Sequence, residues 1–205
     1  WKSGLYALGH AGVRLALGMA GIRYRVAGRE HVPDGAVVFC SNHQSNVDPP
    51  VLFKALHPRL HILYKAELHK FPIMGTVFDV GGFVPVEREN KERAMASIDR
   101  GARSLRSGNS FLIFPEGTRS RTDALLPFKK GGFIMAIRAQ VPVVPVAILG
   151  ARAAMEKGSA IVRPVTVTVR IGEPVPTAGL VDGDRDALIE RVRTRLQALV
   201  DQGPL

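Results

Sequence analysis

A histidine and an aspartate with four residues between them form the first pair in this sequence whose spacing could support chemistry. His43 and Asp48 lie in the segment Cys40–Pro50, directly after an apolar run. A carboxylate that holds the Nδ1 proton of an imidazole leaves Nε2 free to take a proton from an alcohol. His43 is therefore a candidate general base with Asp48 as its orienting partner. A second interpretation stays open, because Asp48 precedes Pro49 and would also suit the N-cap of a helix.

The single cysteine of the chain offers an alternative nucleophile. Cys40 stands at the end of an apolar run, where a small buried residue is the expected role. One cysteine also excludes an intramolecular disulfide, so the fold does not depend on an oxidising compartment. These observations favour a cytosolic setting and a reaction that uses no protein nucleophile.

A second informative segment, Phe114–Arg121, reads Phe-Pro-Glu-Gly-Thr-Arg-Ser-Arg. Gly117 permits a positive φ in a tight turn, and Arg119 offers a planar donor group that suits a phosphate. A plain turn with a solvated arginine would explain the same residues. The segment indicates an anion site only in combination with other features.

Two more basic positions lie next to predicted elements. Arg88 follows an apolar run that ends at Val86, and Lys129 precedes a glycine pair that opens an apolar helical run. The N-terminus of a helix favours an anion, so Lys129 could assist in binding one. A surface location for Arg88 is the alternative.

The overall charge favours partners that carry phosphate. Lys and Arg number 28 against 18 Asp and Glu, which gives a formal net charge of +10. Nucleic acid, an anionic bilayer and acidic substrates would all fit this excess. Aromatic residues make up 6% of the chain and no nucleic-acid motif occurs, so we expect no nucleic-acid partner. The remaining histidines show no metal-ligand spacing, so we expect neither a metal nor a bound cofactor.

Seven short apolar runs of strand length predict the sheet. They are Ile22–Val26, Ala36–Cys40, Leu60–Tyr64, Phe83–Val86, Phe111–Phe114, Val143–Leu149 and Val165–Ile171. Helical stripes predict one helix that begins after Asn90 and another near the C-terminus. This alternation indicates a single α/β domain whose mixed, mostly parallel sheet is flanked by helices, with ligand-binding loops at the carboxyl ends of the strands.

The first 21 residues predict an amphipathic helix, which we separate from a domain over residues 22–205. Its apolar stripe consists of Leu5, Leu8, Gly12, Leu15 and Met19. Packing on the core and lying in a lipid headgroup region both need such a stripe, and both remain open. Charges such as Arg14 interrupt every long apolar stretch, so we expect no spanning helix.

Taken in order, four segments resemble the motifs of the 1-acylglycerol-3-phosphate (lysophosphatidic acid) acyltransferase family. Asn42 to Asp48 is similar to the first motif, a His and an Asp with four residues between them. The other three are Gly82–Arg88, Phe114–Ser120 and Val141–Val146.

The resemblance implies an acyltransferase sandwich and a role for each matching residue. His43 would be the general base and Asp48 its orienting partner. The substrate-binding residues would be Arg88, Glu116, Gly117, Thr118 and Arg119, with the arginines on the phosphate of the acceptor. Lys65 resembles part of a basic stretch of the family, although Ala66 stands where a second lysine is expected.

The implied reaction moves a fatty acyl group from acyl-CoA or acyl carrier protein to the sn-2 hydroxyl of 1-acyl-sn-glycerol 3-phosphate. Its product would be phosphatidic acid, made at the cytoplasmic face of the cell membrane by a chain that is peripheral or anchored by upstream residues. Another acceptor, such as glycerol 3-phosphate or a different lysophospholipid, is an alternative. So is a non-catalytic module that binds membrane lipids.

Overall fold

The computed structural model describes residues 2–56, 60–70, 75, 78–79, 81, 83–86, 91–122 and 124–205. The strands are β1 Ile22–Ala27, β2 Val38–Ser41, β3 Leu60–Lys65, β4 Val84–Val86, β5 Ser110–Ile113, β6 Val143–Leu149 and β7 Val165–Ile171. The helices are α1 Lys2–Met19, α2 Asp48–Ala55, α3 Lys91–Arg106, α4 Gly131–Ala139, α5 Ala151–Ala154 and α6 Arg185–Asp201. Each predicted strand is confirmed, with ends that differ by two residues at most.

The seven strands form one sheet in the order β1-β7-β6-β2-β5-β3-β4. The strands from β6 to β4 in that order run parallel to one another, whereas β7 pairs antiparallel with β6 and carries β1 beside it. The mixed, mostly parallel sheet is confirmed. Five strands therefore end at the same edge, where loops that are distant in sequence come together.

Helices cover both faces of the sheet, and the alternation of β2 shows how the two cores are divided. Phe39 points to one face, where it packs in a cluster with Leu17 of α1 and Leu52 of α2. Cys40 points to the other face and packs in a cluster with Phe133 of α4, together with residues of α3 and α6. All are buried, so the predicted α/β sandwich is confirmed.

Helix α1 packs on the core with a face other than the predicted apolar stripe. The side chains on its inner face are His10, Val13, Leu17 and Ala20. His10 stacks on Phe53 of α2 at 4.3 Å between ring centroids, which fixes the rotation of the helix. As a result Leu8, Leu15 and Met19 are exposed, and core packing of that stripe is ruled out for these three residues. Among the described residues no helix is both long and apolar enough to cross a membrane.

The turn after β1 needs a glycine. Gly28 has a φ of +81°. A Cβ atom at this position would also collide with the carbonyl oxygen of Ile171, the last residue of the neighbouring strand β7.

We therefore expect Gly28→Ala to lower the free energy of unfolding by at least about 2 kcal/mol, because strained backbone and a clash with main chain add together. Gly12→Ala is the matched control, since a Cβ at position 12 meets nothing within 4 Å. The substitution also removes a glycine from the interior of a helix. The control should stabilise the chain by up to about 1 kcal/mol. Urea unfolding of the two variants measures both values, and equal effects would contradict this view of the turn.

Candidate active site

The loop that carries His43 leaves the sheet at a fixed point. Asn42 follows β2, and its amide Nδ2 donates to the carbonyl of Ile148 at 2.9 Å while its Oδ1 accepts from the N–H of Ile148 at 2.8 Å. The amide of Asn42 thus makes the two hydrogen bonds to β6 that a backbone residue of a paired strand would make, and extends the pairing of β2 with β6 by one residue. His43 comes next, between the ends of β6 and β5 in the sheet.

Asp48 is fully buried and one of its oxygens accepts three hydrogen bonds from this loop. Oδ2 lies 2.7 Å from Nδ1 of His43, 2.6 Å from the backbone nitrogen of Gln44 and 2.8 Å from that of Ser45. A carboxylate can only accept, so the proton of a neutral His43 ring sits on Nδ1. The predicted pairing of these two side chains is therefore present in the geometry.

The alternative interpretation of Asp48 as a helix N-cap is wrong. Helix α2 begins at Asp48 itself, and no side chain caps it. Pro49 and Pro50 have no backbone N–H, so the first turn offers little for a capping carboxylate to accept. The carboxylate turns back to the preceding loop, where donors are available.

Glu116 holds the same loop from the β5 side. Its Oε1 accepts from the backbone N–H of His43 at 2.9 Å, and its Oε2 accepts from the N–H of Leu126 at 2.9 Å. Burial raises the pKa of the Glu116 carboxyl, while the two N–H donors oppose that rise. A role of Glu116 in binding substrate stays a prediction, and both of its carboxylate oxygens already accept hydrogen bonds from backbone N–H groups.

The imidazole of His43 is packed on one side and open on another. Its ring stacks on Phe114, with 4.1 Å between centroids and 22° between planes. The carbonyl of His43 accepts from the N–H of Ser120 at 2.8 Å. The side chain keeps 17% of its surface exposed, and no described residue forms a hydrogen bond with Nε2. Nε2 is therefore the nitrogen available to a ligand.

The turn after β5 places the other predicted substrate-binding residues. Gly117 has a φ of +70°, as predicted, and its N–H bonds to the carbonyl of Phe114. Thr118 is exposed. Arg119 is half-buried, and its Nη1 is buried with no hydrogen-bond partner among the described residues. A buried cationic donor without a partner suits an anionic ligand.

A pocket of about 490 Å³ adjoins the His43 loop. It is lined by Gln44, Ser120, Arg121, Gly150, Arg152, Ala153, Glu156 and Lys157. Three of these side chains are cationic and one, Glu156, is anionic. Glu156 pairs with Arg163 at 3.2 Å, so the balance of charge in the pocket is positive.

Two basic residues of this pocket were not found by sequence reasoning. Arg152 lies in the short helix α5 and Lys157 follows it, in a connection with no periodic pattern. Lys157 donates from Nζ to Oγ1 of Thr118 at 3.1 Å and to the carbonyl of Arg119 at 3.0 Å. It therefore braces the turn that contains Arg119, and only tertiary structure reveals the contact.

The remaining predicted residues are less defined. Arg88 lies outside the described residues. Lys65 is the last residue of β3, and the structure describes its backbone but not its side chain. Lys129 is exposed and is not among the residues lining the pocket, although its backbone N–H bonds to the carbonyl of Pro115 at 2.7 Å. Cys40 is buried as predicted, and burial raises the pKa of its thiol well above the usual range.

Comparison with known proteins assigns this arrangement to a family. The profile of the acyltransferase family matches residues 23–149, which include strands β2, β5 and β6, the loop of His43 and the turn of Glu116. The chain belongs to the acyltransferase family. The chain is 34% identical over 170 residues to a 1-acyl-sn-glycerol-3-phosphate acyltransferase of Cocos nucifera. That match covers 82% of the chain and 55% of the relative.

Two further relatives agree. The beta form of 1-acyl-sn-glycerol-3-phosphate acyltransferase from Homo sapiens is 35% identical over 172 residues, covering 83% of this chain and 62% of its own. The chain therefore spans under two thirds of the length of these relatives. The crystal structure of the 1-acyl-sn-glycerophosphate acyltransferase PlsC from Thermotoga maritima superposes with a TM-score of 0.84 at 25% identity, covering 98% of this chain and 81% of that one.

The three hydrogen bonds that Asp48 accepts predict a difference between two substitutions. Asp48→Ala leaves two buried backbone N–H groups and the imidazole without an acceptor, so we expect a loss of about 3 kcal/mol in the free energy of unfolding. Asp48→Asn keeps an oxygen that all three donors can reach, and should cost about 1 kcal/mol or less. Urea unfolding tests the pair. Equal losses would show that the three donors do not depend on this oxygen.

Proposed function

We propose that the chain transfers a fatty acyl group from an acyl thioester to the sn-2 hydroxyl of 1-acyl-sn-glycerol 3-phosphate, which yields phosphatidic acid. The donor is acyl-CoA or acyl carrier protein. Support comes from family membership and from relatives named for this reaction, at 28% to 35% identity.

The observation that carries the proposal is the pairing of His43 with Asp48. The 2.7 Å contact at Nδ1 fixes the ring and leaves Nε2 to accept a proton. A purely lipid-binding module has no use for such a base. The pairing is two thirds of the arrangement in serine hydrolases, with the hydroxyl of the substrate in place of the serine.

The reaction follows from the position of this base. Nε2 of His43 takes the proton of the acceptor hydroxyl as its oxygen attacks the carbonyl carbon of the thioester. The tetrahedral intermediate collapses, the bond between carbon and sulfur breaks, and the proton on Nε2 passes to the departing thiolate. The Asp48 carboxylate stabilises the imidazolium between these steps. Base catalysis of this kind contributes about 10² to 10⁴ in rate.

The cationic groups near His43 support an acceptor that carries phosphate. Arg119 presents a buried nitrogen with no hydrogen-bond partner in the described part of the chain, and the adjoining pocket adds Arg121, Arg152 and Lys157. In a glycerol 3-phosphate backbone two carbon atoms, C2 and C3, separate the oxygen of the sn-2 hydroxyl from the phosphate group. An acceptor whose hydroxyl meets Nε2 therefore carries its phosphate only a few bonds from the reacting oxygen, where cationic side chains near His43 would bind it.

We place the reaction at the cytoplasmic face of the cell membrane, since acceptor and product are membrane lipids. The exposed apolar residues of α1 and the formal net charge of +10 support a chain that contacts an anionic surface. Each basic side chain near such a surface contributes about 1 kcal/mol.

Release of free thiol from palmitoyl-CoA tests the proposed function. In mixed micelles we expect release that requires 1-acyl-sn-glycerol 3-phosphate and that falls at least about a hundredfold in His43→Ala. Glycerol 3-phosphate and lysophosphatidylcholine replace the acceptor in parallel samples. The preferred acceptor is the one with the highest kcat/KM.

Cys40→Ala is the control for a protein nucleophile. Its thiol is buried, so we expect the variant to keep wild-type turnover. Thiol release without any acceptor would contradict the proposal in favour of a thioesterase. Loss of activity in Cys40→Ala with normal unfolding would contradict base catalysis on the acceptor.

A further inference from the structure

The exposed apolar residues of the chain are not scattered. Seven large apolar side chains are exposed in the described part of the chain. Five of them lie either on α1 or in the connection before β7, namely Leu8, Leu15, Met19, Ile161 and Val162. We call these five residues the apolar rim. The other two, Val181 and Leu205, lie elsewhere.

The two parts of the apolar rim are neighbours in the fold. Met19 ends α1 and is 77% exposed, while Ile161 is 64% exposed. Strands β1 and β7 start in register, with Ile22 opposite Val165. Just before them, a Cβ placed on Gly21 would touch Pro164 at 2.9 Å. The connection that carries Ile161 and Val162 therefore reaches the end of α1.

The connection is held in place from behind. The N–H of Arg163 donates to the carbonyl of Ala154 at 2.8 Å, and Ser159 donates its N–H to Glu156 at 3.1 Å. Lys157 is bound to the turn of Thr118 beside the active site. These contacts use backbone atoms and the Lys157 side chain, and the side chains of Ile161 and Val162 are exposed.

The charge around the apolar rim is positive. Residues 1–29 contain five basic residues and no acidic one. Of these, Arg14 and Arg23 are exposed on α1 and β1. Arg163 follows the apolar pair directly but pairs with Glu156 at 3.2 Å, so the positive charge comes from α1 and β1. Exposed apolar side chains bordered by arginines match a bilayer with an anionic surface. The lipid tails accept the apolar side chains, and the anionic headgroups attract the arginines.

The active-site pocket and the apolar rim share one segment of chain. Arg152, Glu156 and Lys157 line the pocket, and Ile161 follows Lys157 by four residues. A lipid acceptor that reaches His43 through this pocket would keep its acyl chain close to the apolar rim. The segment that lines one side of the pocket is therefore continuous in the chain with the apolar pair Ile161 and Val162.

We propose that the connection 159–164, through Ile161 and Val162, docks onto an anionic phospholipid bilayer together with the outer face of α1. The connection is then a second point of contact with the bilayer, besides α1. Two points of contact would set the orientation of the pocket relative to the bilayer. The inference rests on the proposed function only where it assigns the pocket to a lipid acceptor.

Vesicle binding without substrates tests the docking surface. The vesicles contain equal parts of phosphatidylcholine and phosphatidylglycerol, and the chain is compared with the double variant Ile161→Ser/Val162→Ser. Removing two apolar side chains from the bilayer should lower the partition coefficient by at least about tenfold. Val181→Ser is the matched control, because Val181 is 65% exposed but lies beside Asp182, which binds α4 on the opposite face of the sheet. It should bind as the wild type does.

Four outcomes would overturn the proposal. They are equal binding by the double variant, an equal loss in Val181→Ser, no binding by the wild type, and binding to pure phosphatidylcholine that is as strong as binding to the mixed vesicles. A change in oligomeric state of the double variant without a change in vesicle binding would assign the apolar rim to a second copy of the chain instead.

A soluble acceptor separates this inference from the proposed function. With a short-chain 1-acyl-sn-glycerol 3-phosphate and no vesicles, we expect the double variant to release thiol at the wild-type rate. If the wild type binds vesicles but releases no thiol with any acceptor, the proposed function fails and the docking surface stands. If turnover depends on the acceptor and the double variant still binds vesicles normally, the docking surface fails alone.

Discussion

The loop that carries His43 is held by the oxygens of two buried carboxylates and not by regular secondary structure. Asp48 accepts three N–H groups on one oxygen, and Glu116 accepts one on each of its two oxygens. Burying a carboxylate costs several kcal/mol unless hydrogen bonds compensate it. A loop conformation that withdraws these donors would leave the charges without solvation. The same contacts therefore fold the loop and fix the position of the imidazole.

The parallel sheet explains why residues so distant in sequence meet. Strands β6, β2 and β5 are neighbours and end at the same edge. The loop after β2 supplies His43, the loop after β5 supplies Glu116 and Arg119, and the segment after β6 supplies Arg152 and Lys157. Because parallel strands need long crossovers, neighbours at this edge are dozens of residues apart in the chain. The His43–Asp48 pair and the cationic side chains thus come together at one edge of a single sheet.

The sequence predicted the parts that depend on local pattern. Strands such as Val143–Leu149 are continuous apolar runs because both faces of the sheet are covered, and the structure has that strand with the predicted ends. The pairing of His43 with Asp48 followed from their spacing and from the resemblance to a family. Gly117 followed from the backbone conformation that a tight turn requires.

Other features depend on tertiary contacts that no local pattern contains. The apolar stripe of α1 gave no means to choose between core and surface, and stacking of His10 on Phe53 decides that the stripe faces outward. The N-cap interpretation of Asp48 is wrong because the N–H donors that its carboxylate binds lie in the loop before α2 and not in the first turn of the helix. Glu116 holds backbone from two loops, and Lys157 reaches across to the turn of Arg119. Neither partner is visible in sequence spacing.

The central claim is that buried carboxylates position His43 as the base. Kinetics of Glu116→Gln with palmitoyl-CoA and 1-acyl-sn-glycerol 3-phosphate test it most directly, because an amide must turn one N–H toward a backbone N–H and loosen one of the two loops. We predict that kcat falls at least about tenfold while KM for the acceptor stays within about twofold, since the substitution disturbs the base and not the bound ground state. A rise in KM for the acceptor with kcat unchanged would contradict the account and show that Glu116 binds substrate.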